Sequence, residues 1–194
     1  MKALGMLILV LGLVLFIGGH LVTRARGVRS RLVARVGEPA YKGAYALITA
    51  LGLALILLGW RYGPFVPVWD PPGWTRHIPI TLMWPAFVLL VATYLPGHIR
   101  AKLKHPMLVA VKLWASAHLV ANGDLKSILL FGSFLAWAVI ARIGLKRQER
   151  REGRAPQPAS WQNDVVALVI GTVLYGLFGT FLHPILIGVP AFRF

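Results

Sequence analysis

The sequence predicts an all-α fold: a polytopic membrane helix bundle of about six transmembrane helices, forming one integral membrane domain over residues 1–194. Three observations carry this. The chain is 57% hydrophobic with mean hydropathy +0.69, beyond the apolar content of ordinary soluble domains. Several apolar runs approach the ~20 residues needed to cross a ~30 Å hydrocarbon core. The charged residues, 21 Lys+Arg against 6 Asp+Glu, gather in short loops between those runs. In a soluble protein a net charge of +15 would point to nucleic acid. Here it is the positive-inside pattern, and no nucleic-acid partner is expected.

The first run, Leu4–Val22, has Lys2 in front and Arg24, Arg26, Arg29, Arg31 and Arg35 behind. A signal peptide has the opposite order, so a retained helix with its amino end outside is expected. Thr23–Tyr41 reads as a basic loop or interfacial helix with Leu32, Val33 and Val36 on its apolar side. The second run is Lys42–Tyr62. Gly63-Pro64 and the turn-rich segment Val66–Arg76 follow, whose Trp69 and Trp74 suit an interfacial belt. The third run, His77–Leu95, contains Pro79 in its first turn and Pro85, which should kink it unless a neighbour satisfies the freed carbonyl.

Pro96-Gly97 ends that run and the basic segment His98–Lys104 comes next. Pro106 suits the first turn of a short fourth helix, which stops at Asn122-Gly123. Asp124 is placed to cap a fifth helix over Leu125–Leu145. Lys146–Pro158 reads as a solvated loop. The last run, Asn163–Ile187, carries Thr172, Gly176, Gly179 and Thr180 along one side, a spacing that predicts close helix–helix approach there. Six spans place fifteen basic residues on one side and five on the other, with Lys112 inside the membrane. Both termini are then outside.

Lys104–Asp124 is the informative stretch: apolar enough to enter a membrane, yet bearing His105, Lys112, Ser116, His118, Asn122 and Asp124. Ionisable groups in a bilayer are expensive and mark cavities, ligands or partner helices. Helical spacing puts His118 on one face with Val111, Trp114, Ala115 and Asn122, which resembles a pocket wall. Lys112 points a third of a turn away, towards another partner or the headgroups.

Of the six histidines, His77 and His98 fall at span ends. His20, His105, His118 and His183 are the candidates for ligands. With no cysteine, no HExxH motif and no neighbouring carboxylates in the sequence, paired imidazoles favour haem iron over a zinc hydrolase. No P-loop, GxGxxG or Ser–His–Asp order is present. His118 stands some ~18 Å along its helix from Met107 at ~1.5 Å per residue. The outside-start topology puts His118 and His183 both in the outer half, and His20 near the inner end.

Gly18-Gly19-His20, Trp69-Asp70-Pro71-Pro72, Tyr94-Leu95-Pro96-Gly97, Lys104-His105-Pro106, Lys112-Leu113-Trp114, His118-Leu119 and Asn122-Gly123-Asp124 together resemble the NnrU family over essentially the whole chain. The resemblance implies a multi-pass membrane protein from a denitrification context, tied to nitrite and nitric oxide reduction. The family is similar to the plant 15-cis-zeta-carotene isomerase, which implies haem b held by histidines and a polyene substrate. His20, His105 and His118 are the positions matching its histidines, with His118 and His20 as the implied metal ligands. A cysteine of the isomerase has no counterpart, since Ala115 and Ser116 occupy that region. More distantly, Lys104-His105-Pro106 and Gln148-Glu149 resemble the Arg-His-Pro motif and acidic pair of isoprenylcysteine and phospholipid methyltransferases, with Lys for Arg and one acid fewer.

Three functions follow as expectations. The first is a haem-b membrane protein acting in nitrite and nitric oxide reduction or as a polyene isomerase. The second is a methyltransferase using S-adenosylmethionine. The third is a non-catalytic assembly or regulatory factor. The expected partners are the lipid bilayer, a hydrophobic small molecule and a second copy of the chain.

Overall fold

The computed structural model describes residues 2–153 and 159–192. It is helical throughout, with one isolated bridge, Pro67 to Asp124, among the described residues. The chain divides into two compact units, residues 1–66 and 67–194. Five helices are long and apolar enough to cross a membrane, and Pro106–Ala121 is a sixth, shorter apolar helix. Their outer faces carry exposed Leu7, Leu47, Val169 and Ile185, surface that only lipid covers without loss. The chain is a multi-pass membrane protein.

The first unit is a hairpin of α1 (Lys2–Arg24) and α3 (Glu38–Tyr62), joined by α2 (Arg26–Val36). Glycine sets its geometry. A Cβ on Gly12 would lie 2.7 Å from the Ile56 nitrogen, and one on Gly52 2.8 Å from the Phe16 nitrogen; Gly5 and Gly59 meet the Tyr62 and Leu9 backbones still more closely. Gly5 and Gly12 are seven apart, as are Gly52 and Gly59, so each pair shares one face. The backbones touch where side chains would ordinarily stand. The interfacial helix expected in the basic loop is α2, which buries no residue. It is tied to the start of α3 by Arg29, which donates to Glu38 at 2.9 Å and lies over the Tyr41 ring. Helix α3 begins at Glu38 rather than Lys42, because Pro39 occupies its first turn.

The second unit contains α4 (His77–Ala92), α5 (His98–Leu103), α6 (Pro106–Ala121), α7 (Leu125–Glu152), α8 (Trp161–Leu177) and α9 (His183–Ile187). A 3-10 turn over Gly73–Arg76 leads into α4, and a π-helical turn over Phe178–Leu182 joins α8 to α9. Ala86 and Leu89 of α4 pack on Ala110 of α6. Across the other side of α4, Gly171 of α8 approaches Val88, whose Cα a Cβ there would meet at 2.6 Å. Pro85 lies inside α4 without ending it. The Tyr175 hydroxyl donates to the Ile80 carbonyl at 2.7 Å, beside the break that Pro85 makes in the ladder.

Local signals set the α6–α7 turn as the sequence predicts. Asn122 caps α6, and the Asp124 carboxylate accepts from the Ser127 amide to cap α7. The Gly123 carbonyl accepts from both Val68 and Trp69 amides, so the tryptophan loop is pinned over this turn. Two expectations are corrected. Helix α7 runs on to Glu152, so Lys146–Glu152 is helix rather than loop; good helix formers and the basic last turn sustain it, and residues 154–158 lie outside the described residues. The Gly176–Thr180 face of the last span does not pack. A Cβ on Gly176 meets nothing within 4 Å and Thr180 is exposed. Spacing showed that small residues shared a face but not which face a partner would take.

Candidate functional site

The deepest histidine of the second unit is His118, on the α6 face that meets α7. Its Nδ1 lies 2.9 Å from the Trp114 carbonyl. A carbonyl only accepts, so Nδ1 carries the proton and Nε2 the lone pair. The ring stacks on Phe131 with centroids 4.7 Å apart. Trp114 closes the group edge-on, at 4.9 Å from Phe131 and 5.2 Å from Phe134. Asn122 turns back along the helix and donates to the His118 carbonyl at 2.8 Å. The His118 ring is thereby fixed by a backbone bond behind it and an aromatic plane beside it. Phe131 and Phe134 were not singled out from the sequence; only a partner helix reveals which of the α7 aromatics face His118.

The remaining histidines divide by partner. His183 is bonded through Nδ1 to the Val189 carbonyl at 2.6 Å and meets Phe178 edge-on. His20 shows the same carbonyl bond, Nδ1 to Phe16 at 2.7 Å, beside the Phe16 and Tyr45 rings, but in the first unit. His105 and His98 instead pair with carboxylates that stand far away in sequence. His105 Nε2 lies 2.7 Å from Glu149, and His98 Nδ1 lies 2.9 Å from Asp164. Lys112 is half-buried on α6.

Asp164 does more than pair with His98. Its two oxygens accept from the His98 and Ile99 amides at 2.9 and 3.0 Å, capping α5 from a helix 66 residues on. Gly97 permits this, since a Cβ there would overlap the Asp164 carboxylate. Asn163 and the Ser160 amide both donate to the Pro96 carbonyl. The Tyr94–Gly97 motif is therefore a docking point for the start of α8.

Lys104-His105-Pro106 and the Asn122–Asp124 turn thus mark the two ends of one short helix, with His118 and its aromatic neighbours between them. A family model described as NnrU protein matches residues 8–191. The chain belongs to the NnrU family. The match takes in both units, and with them every motif that fixes the NnrU helix ends: Gly97, Pro106 and Gly123. No curated protein and no solved structure matches the chain.

Among the described residues no group of three or more His, Cys, Asp or Glu is placed to hold a metal ion. A zinc centre needs three or four converging ligands. Haem iron asks less: one or two imidazole nitrogens bearing lone pairs in an apolar setting. His118 supplies that donor, and the carbonyl bond at Nδ1 is the outer contact that orients metal-ligating imidazoles.

Proposed function

We propose that this NnrU protein is a haem-b membrane protein of the bacterial inner membrane, with both termini outside, serving nitrite and nitric oxide reduction. The observation that carries the reading is His118. Its Nδ1–H is committed to a backbone carbonyl, its ring is locked against Phe131, and its Nε2 retains the lone pair. His118 would be the anchoring ligand, with His20 or His183 as the second. Bound haem would supply one-electron chemistry and, where nitric oxide displaces the second imidazole, a coordination site for it. Trp114, Phe131 and Phe134 would form an apolar wall beside the macrocycle and keep water from it.

An absorbance spectrum of the purified protein tests the reading. A Soret band is expected in the wild type, and its loss or displacement in His118→Ala. The variants His20→Ala and His183→Ala identify the opposite ligand, since only that one should match the effect of His118→Ala. A Soret shift on adding nitric oxide supports the reductive role. Haem without any response to nitric oxide, together with turnover of a cis-polyene, would move the chemistry to isomerisation. Full haem retention in His118→Ala removes the assignment. For the topology, reporters fused at Trp69 and Gly153 should face opposite sides of the membrane.

A further inference from the structure

The junction of α5, α6 and the end of α7 gathers charged side chains that the haem reading does not use. Lys104 has φ 65° and ψ −45°, and it is the one non-glycine residue with positive φ among those described. The His105 amide donates to the Leu103 carbonyl at 2.7 Å, closing a γ-turn around Lys104 of the rare, strained hand. Pro106 follows at once. A strained backbone at a residue other than glycine persists when its surroundings hold it, and such positions cluster at functional sites.

The turn delivers Lys104 and His105 to Glu149. His105 Nε2 is 2.7 Å from one carboxylate oxygen. Lys104 Nζ and Arg142 Nη1 stand 3.7 and 3.8 Å from the other. Two permanent cations thus flank one oxygen of one carboxylate, close enough for a single phosphate to bridge them. Exposure is ordered by charge: the Glu149 side chain is 16% exposed, Arg142 29% and Lys104 48%. The acid sits inside and the cations face out. Arg142 Nη1 is buried against Glu149 and makes no hydrogen bond, while the side chain as a whole stays partly exposed.

Val139, one turn before Arg142 on the same side of α7, is apolar and 43% exposed. A ligand that fits both features has an anionic head and an apolar tail. We propose that Lys104 and Arg142, held in place by Glu149, form a site for the phosphate of a net-anionic phospholipid, whose acyl chains lie along Val139. Basic pockets between membrane helices take anionic headgroups in this way. The site is independent of haem, because His118 lies about 20 Å further along α6 than His105.

The test is thermal unfolding of the purified full chain in neutral detergent, titrated separately with phosphatidylglycerol, phosphatidylcholine and inorganic phosphate. Saturable stabilisation by phosphatidylglycerol is expected, with at least a tenfold weaker apparent Kd in Lys104→Gln and in Arg142→Gln. Arg35→Gln, an exposed cation of α2, should leave the titration unchanged. If Arg142→Gln fails to fold, native mass spectrometry of lipid adducts on Lys104→Gln carries the comparison. Equal stabilisation by phosphatidylcholine, an equal effect of inorganic phosphate alone, or an equal loss in Arg35→Gln would overturn the proposal. So would stabilisation by S-adenosylmethionine with no response to lipid.

Discussion

The two units close by different means. In the first, α1 and α3 touch backbone to backbone through four glycines, with one side-chain hydrogen bond between Thr23 and Tyr45. In the second, α4 and α8 meet as closely at Gly171 and Val88, and the helices are also joined by polar links across long sequence distances: Trp84 to Thr172 at 3.0 Å, Tyr175 to Ile80 and Asp164 to His98 and Ile99. The difference follows from what lipid offers. Apolar side chains gain nothing by leaving lipid for each other, so association needs either very close packing or polar groups that lipid cannot satisfy. The glycine hairpin takes the first route and buries little chemistry. The second unit adds the other, and it holds the clustered polar and titratable residues.

The comparison is broken most severely at a glycine contact. Gly59→Leu should separate the hairpin, because the new side chain meets the Leu9 backbone rather than a movable side chain. A loss of about 3 kcal/mol or more is expected in detergent unfolding; an unchanged melting curve would show that the hairpin does not hold the first unit together. Asp164→Ala tests the second unit. It removes the acceptor for two amides at the start of α5, and about 1–2 kcal/mol should go with it. Hydrogen exchange should quicken at His98 and Ile99 in particular. Tyr175→Phe deletes one hydroxyl bond in the same unit, for about 1 kcal/mol. The smallest effect sharpens the contrast: Gly176→Leu adds a side chain to open space and should shift stability by less than about 0.5 kcal/mol. A large loss there would mean that another chain covers that face.

These expectations also show where the sequence was readable. Helix ends were, because they depend on neighbours in the chain: Pro106 starts α6, Asn122-Gly123 stops it, and Asp124 caps α7. Faces were not. Gly5, Gly12, Gly52 and Gly59 carry a seven-residue spacing as clear as the small-residue stripe of the last span, yet all of the first set packs while Gly176 and Thr180 of the stripe stay open. Spacing places residues on a face, and the partner that chooses the face is elsewhere in the chain. The same limit applies to the histidines. Glu149 and Asp164 lie 44 and 66 residues beyond His105 and His98, so their pairing needed the fold. His118 stood out by itself, since an imidazole in an apolar helix is conspicuous, whereas Phe131 beside it looked like any other apolar residue.

The bonds between α4 and α8 have a mechanical consequence. Trp84–Thr172 and Tyr175–Ile80 sit about a turn apart on both helices, like two bolts through a pair of rods. Sliding one rod along the other would break both at once, and hydrocarbon holds no water to take over either bond. Shear between these helices is therefore blocked, while bending beyond the bolts is not. The π turn at Phe178–Leu182 lies just past the second bolt and leads directly into His183. Beyond the bolts the end of the last span is held by rings instead, Phe178 against Phe87 and Phe192 against Tyr175.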